Sequence, residues 1–374
     1  MTGGGDLKHV RLRELGKVEI LEKEAKSVLN RHKRVNDWLW DRYTVNPYEG
    51  CAQACEYCDS VSNRYFRHAD FHRTVYAKVN APEVLRRQAR RRPPDVVVLS
   101  SATEPYQSAE TRYRLTHKCL EVLLELGFPV HIVTKSPLVT TDTDLLKAIH
   151  THCDLRVSFT ILTLREGPCR ALEPRSPSAA RRLEALASLA SEGICVGVLM
   201  IPLVPFLVDS LENVQEVVSA AKDAGASYLL GGGLTLRDRQ EERWYEFLRD
   251  RYPELEGRFR SLRKEHATES ARVVSDACRS RGIAERIPRP IAPNDPLATN
   301  KRVAEQLYRM CYEFQMQGAR PQRVWAWRRA AWAVDDLQDD IRHLFGDRQL
   351  ESIPGVGPRI ASRIETFLDG LGEG

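Results

Sequence analysis

Cys51, Cys55 and Cys58 fall in the stretch TVNPYEGCAQACEYCDS, residues 44 to 60, in a CxxxCxxC spacing. Thiolates this close together after a short β-like run suit a soft metal, and cysteine sulfur holds iron-sulfur clusters. Three is the informative number. A closed cluster or a structural zinc site takes four ligands, so with three one iron stays open to another molecule. Two other chemistries fit the same residues: His68, ten residues beyond Cys58, would complete a Cys3His zinc site, and close thiols could form a redox disulfide.

The elements that must position these thiols are legible in the chain around them. Short apolar runs predict strands at 95–100 (DVVVLS), 129–134 (PVHIVT), 155–160 (LRVSFT), 194–201 (ICVGVLMI) and 227–234 (SYLLGGGL), with one more just before Cys51. Helical patterns at 82–92, 109–126, 142–151, 177–192 and 211–224 lie between them. Strict βα alternation implies an α/β fold with a parallel sheet covered by helices, and six units fall short of a full eightfold barrel. Ligands on such a fold gather at the C-terminal ends of the strands. Polar segments stand there: SSATEPYQSAE after the second strand, TKSPL after the third and EPRSPS beyond the fourth.

CxxxCxxC with an aromatic residue, Tyr57, directly before its last cysteine resembles the signature of radical S-adenosylmethionine enzymes. The resemblance implies a 4Fe-4S cluster whose unique iron is chelated by the amino and carboxylate groups of S-adenosyl-L-methionine. It also implies sulfonium cleavage by an electron from the cluster, and hydrogen abstraction from substrate by the 5'-deoxyadenosyl radical. A partial (β/α)6 TIM-type barrel and a low-potential electron donor such as flavodoxin or ferredoxin come with it.

Across residues 40 to 265 the ordered series TEPYQ, TKS and EPR is similar to spore photoproduct lyase and the related DNA repair photolyase-like proteins. Carried over by position, the resemblance puts Tyr57 beside the adenine and Thr103, Lys135 and Ser158 around the ribose and methionine, with Glu104 and Arg175 as further cofactor contacts. Lysine donors suit a carboxylate, and hydroxyls donate or accept as needed. One departure matters: that lyase carries a hydrogen-donating cysteine just ahead of this segment, where the present chain has Ser101. A serine O–H is too strong to give hydrogen readily to a carbon radical, which points to another lesion or modified nucleotide and leaves Tyr106 as the candidate donor.

The expected boundaries are an N-terminal extension at 1–30, the barrel at 31–265, an extended proline-rich connector at 266–298 and a helical module at 299–374. The last segment, LESIPGVGPRIASRIETFL, reads as helix, hairpin, helix, with Gly355 and Gly357 allowing a tight turn whose N–H groups face an anion. It resembles a helix-hairpin-helix DNA-binding motif, and residues 299–371 are similar to the 8-kDa-type domain of family X DNA polymerases. In that domain some members carry a Schiff-base lysine; Arg359 and Arg363 stand at the lysine-like positions here, keeping phosphate affinity without an amine nucleophile. Arg328 and Arg329 are expected on the same face, and Trp325, Trp327 and Trp332 in the module's core.

Composition agrees with a globular protein: 42% hydrophobic, 29% charged, net charge +5. No 18-residue apolar run and no leader pattern occur, so a cytoplasmic location away from membranes is expected. The six other cysteines are scattered, against a disulfide framework and against a second cluster. The arginines of RRQARRRPP, 86–92, are either a phosphate patch or a solvated helix face. Together these features predict a radical S-adenosylmethionine enzyme acting on gapped or damaged DNA. Modification of RNA or of a nucleic-acid-bound protein, and a metal-stabilised DNA-binding scaffold, are the alternatives.

Overall fold

The computed structural model describes residues 17–62, 71–262 and 266–372; His68 lies outside them. The described residues form ten strands: β1 (Glu19–Lys23), β2 (Leu29–Arg31), β3 (Tyr43–Val45), β4 (Tyr48–Glu49), β5 (Thr74–Lys78), β6 (Val97–Leu99), β7 (Val130–Thr134), β8 (Leu155–Thr160), β9 (Val196–Leu203) and β10 (Tyr228–Gly233). The main sheet runs β10-β9-β8-β7-β6-β3-β2. Its strands from β10 to β3 are all parallel, and β2 adds antiparallel at the edge.

These strands are near-continuous apolar runs because a parallel sheet between helices is buried on both faces. Val97, Val98, Leu99, Val130, Ile132 and Val157 are all fully buried. The helices between them bury one stripe each on the sheet, and Leu120, Leu123, Leu146, Ile149, Leu186 and Val217 join a single core with the strands. The expected helix at 109–126 is broken into Glu110–Tyr113 and Leu115–Glu125, because Arg114 between them is left-handed (φ 48°).

The N-terminal extension is packed on the main domain from residue 17 onward: β1 pairs with β5 in a three-stranded side sheet, and β2 pairs with β3. One expected boundary is corrected. The first half of the expected connector is the helix His266–Arg281, which covers β10 as the sixth helix of the barrel. Gly231 of β10 makes this possible, since a Cβ there would stand 2.8 Å from Val274. The proline-rich remainder is extended but not free, with Ile287 and Arg289 buried. Its carbonyls serve as acceptors for the neighbouring elements: Ile287 O takes the Trp40 indole N–H at 2.8 Å and Pro288 O the Arg156 Nε at 3.0 Å.

The C-terminal module consists of helices Ala298–Met316, Pro321–Asp335 and Ile341–Gly346, a short turn, and Pro358–Gly372. It shares a core with the barrel interior: Leu199, Tyr228 and Leu230 cluster with Trp40, Val303, Leu307 and Tyr308. Beneath the N-terminal ends of β3 and β6 lies a buried charge network. Arg289 meets Asp335 at 2.5 Å, Arg42 meets Asp335 at 2.9 Å, and Lys301 meets Asp95 at 3.5 Å. Sequence offered no sign of it, since its members come from four distant segments.

Candidate active site

The pleat of the parallel strands sorts their inward residues into layers, because every second side chain faces the same way. His131, Val133 and Lys135 from β7 and its end, Ser158 and Thr160 from β8, Leu199 and Ile201 from β9, and Tyr228, Leu230 and Gly232 from β10 form successive levels. At the C-terminal level opens a cavity of about 360 Å³, bordered by Cys51, Cys55, Cys58, Tyr57, Thr103, Glu104, Lys135 and Thr160.

The cysteine loop is held from several sides. Gly50 is left-handed (φ +81°), and a Cβ there would lie 2.2 Å from Thr74 O, so only glycine lets the loop pass β5. Gln107 Oε1 accepts from Ala52 N at 3.0 Å while its amide donates to Gly50 O at 3.3 Å. His72 Nδ1 donates to Cys51 O at 3.0 Å; burial pushes this imidazole down to about 3, so it stays neutral. From helix Asp238–Arg251, Gln240 donates to Tyr57 O at 2.9 Å and Arg243 to Ala54 O at 3.2 Å. Gly50→Ala is therefore expected to cost at least about 1–2 kcal/mol from the left-handed backbone alone, read as a lowered denaturation midpoint, together with reduced iron uptake on reconstitution.

Burial raises the thiol pKa of all three cysteines, that of Cys58 to about 12, so metal binding there must release protons. Among the described residues no three Cys, His, Asp or Glu side chains converge on a single ion. The thiols instead border one open cavity, an arrangement that suits a cluster in which each thiolate takes a different iron.

Around the thiols the polar groups are fixed in advance. Glu104 accepts from Thr134 Oγ1 at 2.5 Å, Lys135 N at 2.8 Å and Tyr106 N at 3.1 Å, and burial raises its pKa against these bonds. Lys135 Nζ stands 5.7 Å from the Tyr57 ring centre. Burial would discharge that ammonium, but Cys55, Glu173 and Glu104 outweigh it and raise its pKa. Tyr57 OH is bonded to Glu173, which pairs with the buried Arg182 at 2.5 Å; Arg182 in turn donates to Thr160 O at 2.7 Å.

The structure thus brings Cys51, Cys55, Cys58, Tyr57, Thr103, Glu104 and Lys135 together and leaves three expected residues out. Ser158 lies one pleat below Thr160, fully buried between His131 Nε2 and Tyr228 OH, each at 2.8 Å. Thr160 lines the cavity in its place. Tyr106 points away from the cavity, with its OH 3.0 Å from Asp142, so it is not placed to give hydrogen to a substrate there. Arg175 bonds to His72 O at 3.2 Å outside the cavity, whereas Glu173 of the same segment supports Tyr57. Ser101 borders the cavity directly after the left-handed Ser100 (φ 62°).

In the C-terminal module Gly355 is left-handed (φ +84°) and turns the hairpin against helix Pro321–Asp335, whereas Gly357 faces open space. Arg329, Arg359 and Arg363 are exposed, and among the described residues no carboxylate pairs with them. Arg328 is not on that face: it pairs with Asp37 at 2.8 Å, because neighbouring helical residues diverge by about 100°. Trp327 and Trp332 join the core as expected, but Trp325 is exposed. In the 86–92 stretch Arg86 and Arg90 pair with Glu125, as on a solvated helix face.

Fold and site together define a radical S-adenosylmethionine barrel joined to a helix-hairpin-helix module. Residues 45–221 match the Radical SAM superfamily and residues 298–370 the Helix-hairpin-helix domain. An uncharacterized protein of Mycobacterium tuberculosis is 30% identical over 264 residues, which cover 69% of this chain and 77% of that protein. An uncharacterized protein of Methanocaldococcus jannaschii is 28% identical over 239 residues, covering 64% and 85%. The chain belongs to the radical SAM superfamily, and with it come a 4Fe-4S cluster and S-adenosylmethionine as cofactors. Its fold is that of spore photoproduct lyase complexed with dinucleoside spore photoproduct, at a TM-score of 0.51 and 17% identity over 70% of this chain and 79% of that one. When bound, these cofactors supply reductive cleavage of a sulfonium and a carbon radical able to abstract hydrogen. The C-terminal module is a helix-hairpin-helix domain, and its likeness to the polymerase domain is looser. Among the described residues no helix is long and apolar enough to cross a membrane.

Proposed function

We propose that the protein is a radical S-adenosylmethionine enzyme that acts on a nucleotide in DNA, in repair of a damaged or modified base. The observation that carries this is the joining of the two halves: a helix-hairpin-helix module is packed through a shared core and buried ion pairs onto the barrel that holds the cavity. In this reading Cys51, Cys55 and Cys58 hold the cluster. Lys135 supplies the positive charge for the cofactor carboxylate, Glu104 the acceptor for its amino group, and Thr103 and Thr160 hydroxyls for its ribose. The electron comes from a low-potential flavodoxin or ferredoxin. With Tyr106 turned toward Asp142 and serine rather than cysteine at position 101, the product radical is quenched by another group than in the lyase whose fold the chain shares.

The test is anaerobic. The protein is reconstituted with iron and sulfide, reduced with dithionite and given S-adenosylmethionine, and 5'-deoxyadenosine is quantified with and without gapped or ultraviolet-irradiated DNA. A yield changed by DNA supports the reading; none from an intact, reduced cluster favours the scaffold alternative. Replacing Arg359 and Arg363 together by alanine is expected to weaken binding to gapped duplex and to lower the salt slope by up to about 1.8, since each lost phosphate contact removes about 0.9. An unchanged slope would move the DNA contact off the hairpin.

A further inference from the structure

The strap between β2 and β3 has one side in the cavity and the other in the helix-hairpin-helix module. Asn36, Trp38 and Leu39 border the cavity. Val35 O receives the Trp332 indole N–H and the Tyr308 hydroxyl, each at 3.3 Å, and Asp37 pairs with Arg328 at 2.8 Å and Arg286 at 3.1 Å. From inside the barrel, His131 anchors the strap: its Nδ1 donates to Leu39 O at 3.1 Å while Nε2 accepts from Ser158. Trp40 is buried, its ring 5.5 Å from that of Tyr308.

Amid this anchoring the Trp38 indole is left open. Its backbone N–H is tied to Asn36 Oδ1 at 2.9 Å, but the side chain is 42% exposed and makes no hydrogen bond or ring contact among the described residues. It rests against Gly232 of β10, where a Cβ would stand 2.7 Å from its Cζ3. The glycine run of β10 is therefore shaped in part to admit this ring. The neighbouring cavity wall is apolar, formed by Leu199, Ile201, Pro202 and Leu234, whereas the thiols, Glu104 and Lys135 supply the polar wall. A half-open indole on an apolar wall suits a flat aromatic guest. Base-on-indole stacking tolerates any base, and a base buried in duplex must be extruded before chemistry can reach it.

We infer that Trp38 is the platform on which the nucleobase of an extruded nucleotide stacks in the cavity, its position fixed relative to the helix-hairpin-helix module by the strap. This rests on the DNA reading above. The test uses the full chain with reconstituted cluster and S-adenosylmethionine, bound to a duplex with a single-nucleotide gap and 5-iodouracil beside it. After long-wavelength irradiation, peptide mass spectrometry locates the adduct. The expected result is an adduct on Trp38, absent in Trp38→Ala and transferred to the new ring in Trp38→Phe. Trp38→Ala should weaken DNA binding about 5-fold to about 150-fold, the range of one lost base stack, with a smaller loss of S-adenosylmethionine affinity.

Adducts only elsewhere, with DNA binding by Trp38→Ala at the unaltered level, overturn the inference while DNA-stimulated 5'-deoxyadenosine leaves the DNA reading standing. A loss of S-adenosylmethionine affinity as large as that for DNA overturns it too, by assigning the indole to the cofactor's adenine. If the unaltered protein binds no DNA, both readings fall together.

Discussion

Replacing Cys55 with alanine is expected to reduce 5'-deoxyadenosine formation to the level seen without protein. Cys55 is buried and lies in the electrostatic reach of Lys135 and Glu173, with Ser176 Oγ 4.0 Å from its sulfur. Only two thiols would remain on the cavity, too few to hold a cluster that leaves a single iron open. Iron and sulfide content and the paramagnetic resonance spectrum of the reduced protein check this directly. Retention of the unaltered spectrum in Cys55→Ala would falsify the assignment. Cys169, which does not border the cavity, provides the control: Cys169→Ala should keep both spectrum and turnover.

The second large effect is on stability. Asp335→Ala removes the carboxylate shared by Arg42 and Arg289 and leaves Arg289, whose side chain is wholly inaccessible, with Asp95 at 3.7 Å as its remaining ion partner among the described residues. Breaking one side of a buried pair costs about 3–5 kcal/mol, far more than a surface pair. The denaturation midpoint of the full chain should fall accordingly; an unchanged midpoint would show that water reaches the network. The same network carries a pH signature. Burial works against the Asp95 carboxylate, but Lys301, Arg289 and Arg42 outweigh it and depress its pKa. Its contribution is complete above the unfolded carboxylate value, about 3.9, and is lost as pH falls below that toward the folded value. Asp95→Asn should therefore flatten the acid limb of a stability-against-pH curve.

The three cysteines, the βα alternation and the polar strand ends were legible because each depends on local spacing. A thiolate triad needs only a short loop, a buried parallel strand needs only an apolar run, and a hairpin between helices needs only its glycines. The same locality explains the errors. Ser158 and Thr160 are both hydroxyls on one strand, and only the level at which the cavity opens decides which of them borders it. Tyr106 and Arg175 belong to motif segments whose other members, Glu104 and Glu173, carry the polar support of the cavity; chain proximity does not say which way a side chain turns. Arg328 differs from Arg329 by one helical step, which turns it into the barrel interface.

What tertiary structure alone decided are the pairings across long separations. Gln107 against Gly50, Gln240 against Tyr57, Arg289 against Asp335 and Trp38 against Gly232 join segments with no shared periodicity. Their energies come from removing two particular groups from water together, a condition set by how the sheet, its helices and the C-terminal module close on one another. The chemistry of the chain is thus written in local spacing, while the floor of its cavity and the fixed seat of its helix-hairpin-helix module exist only once the barrel has closed.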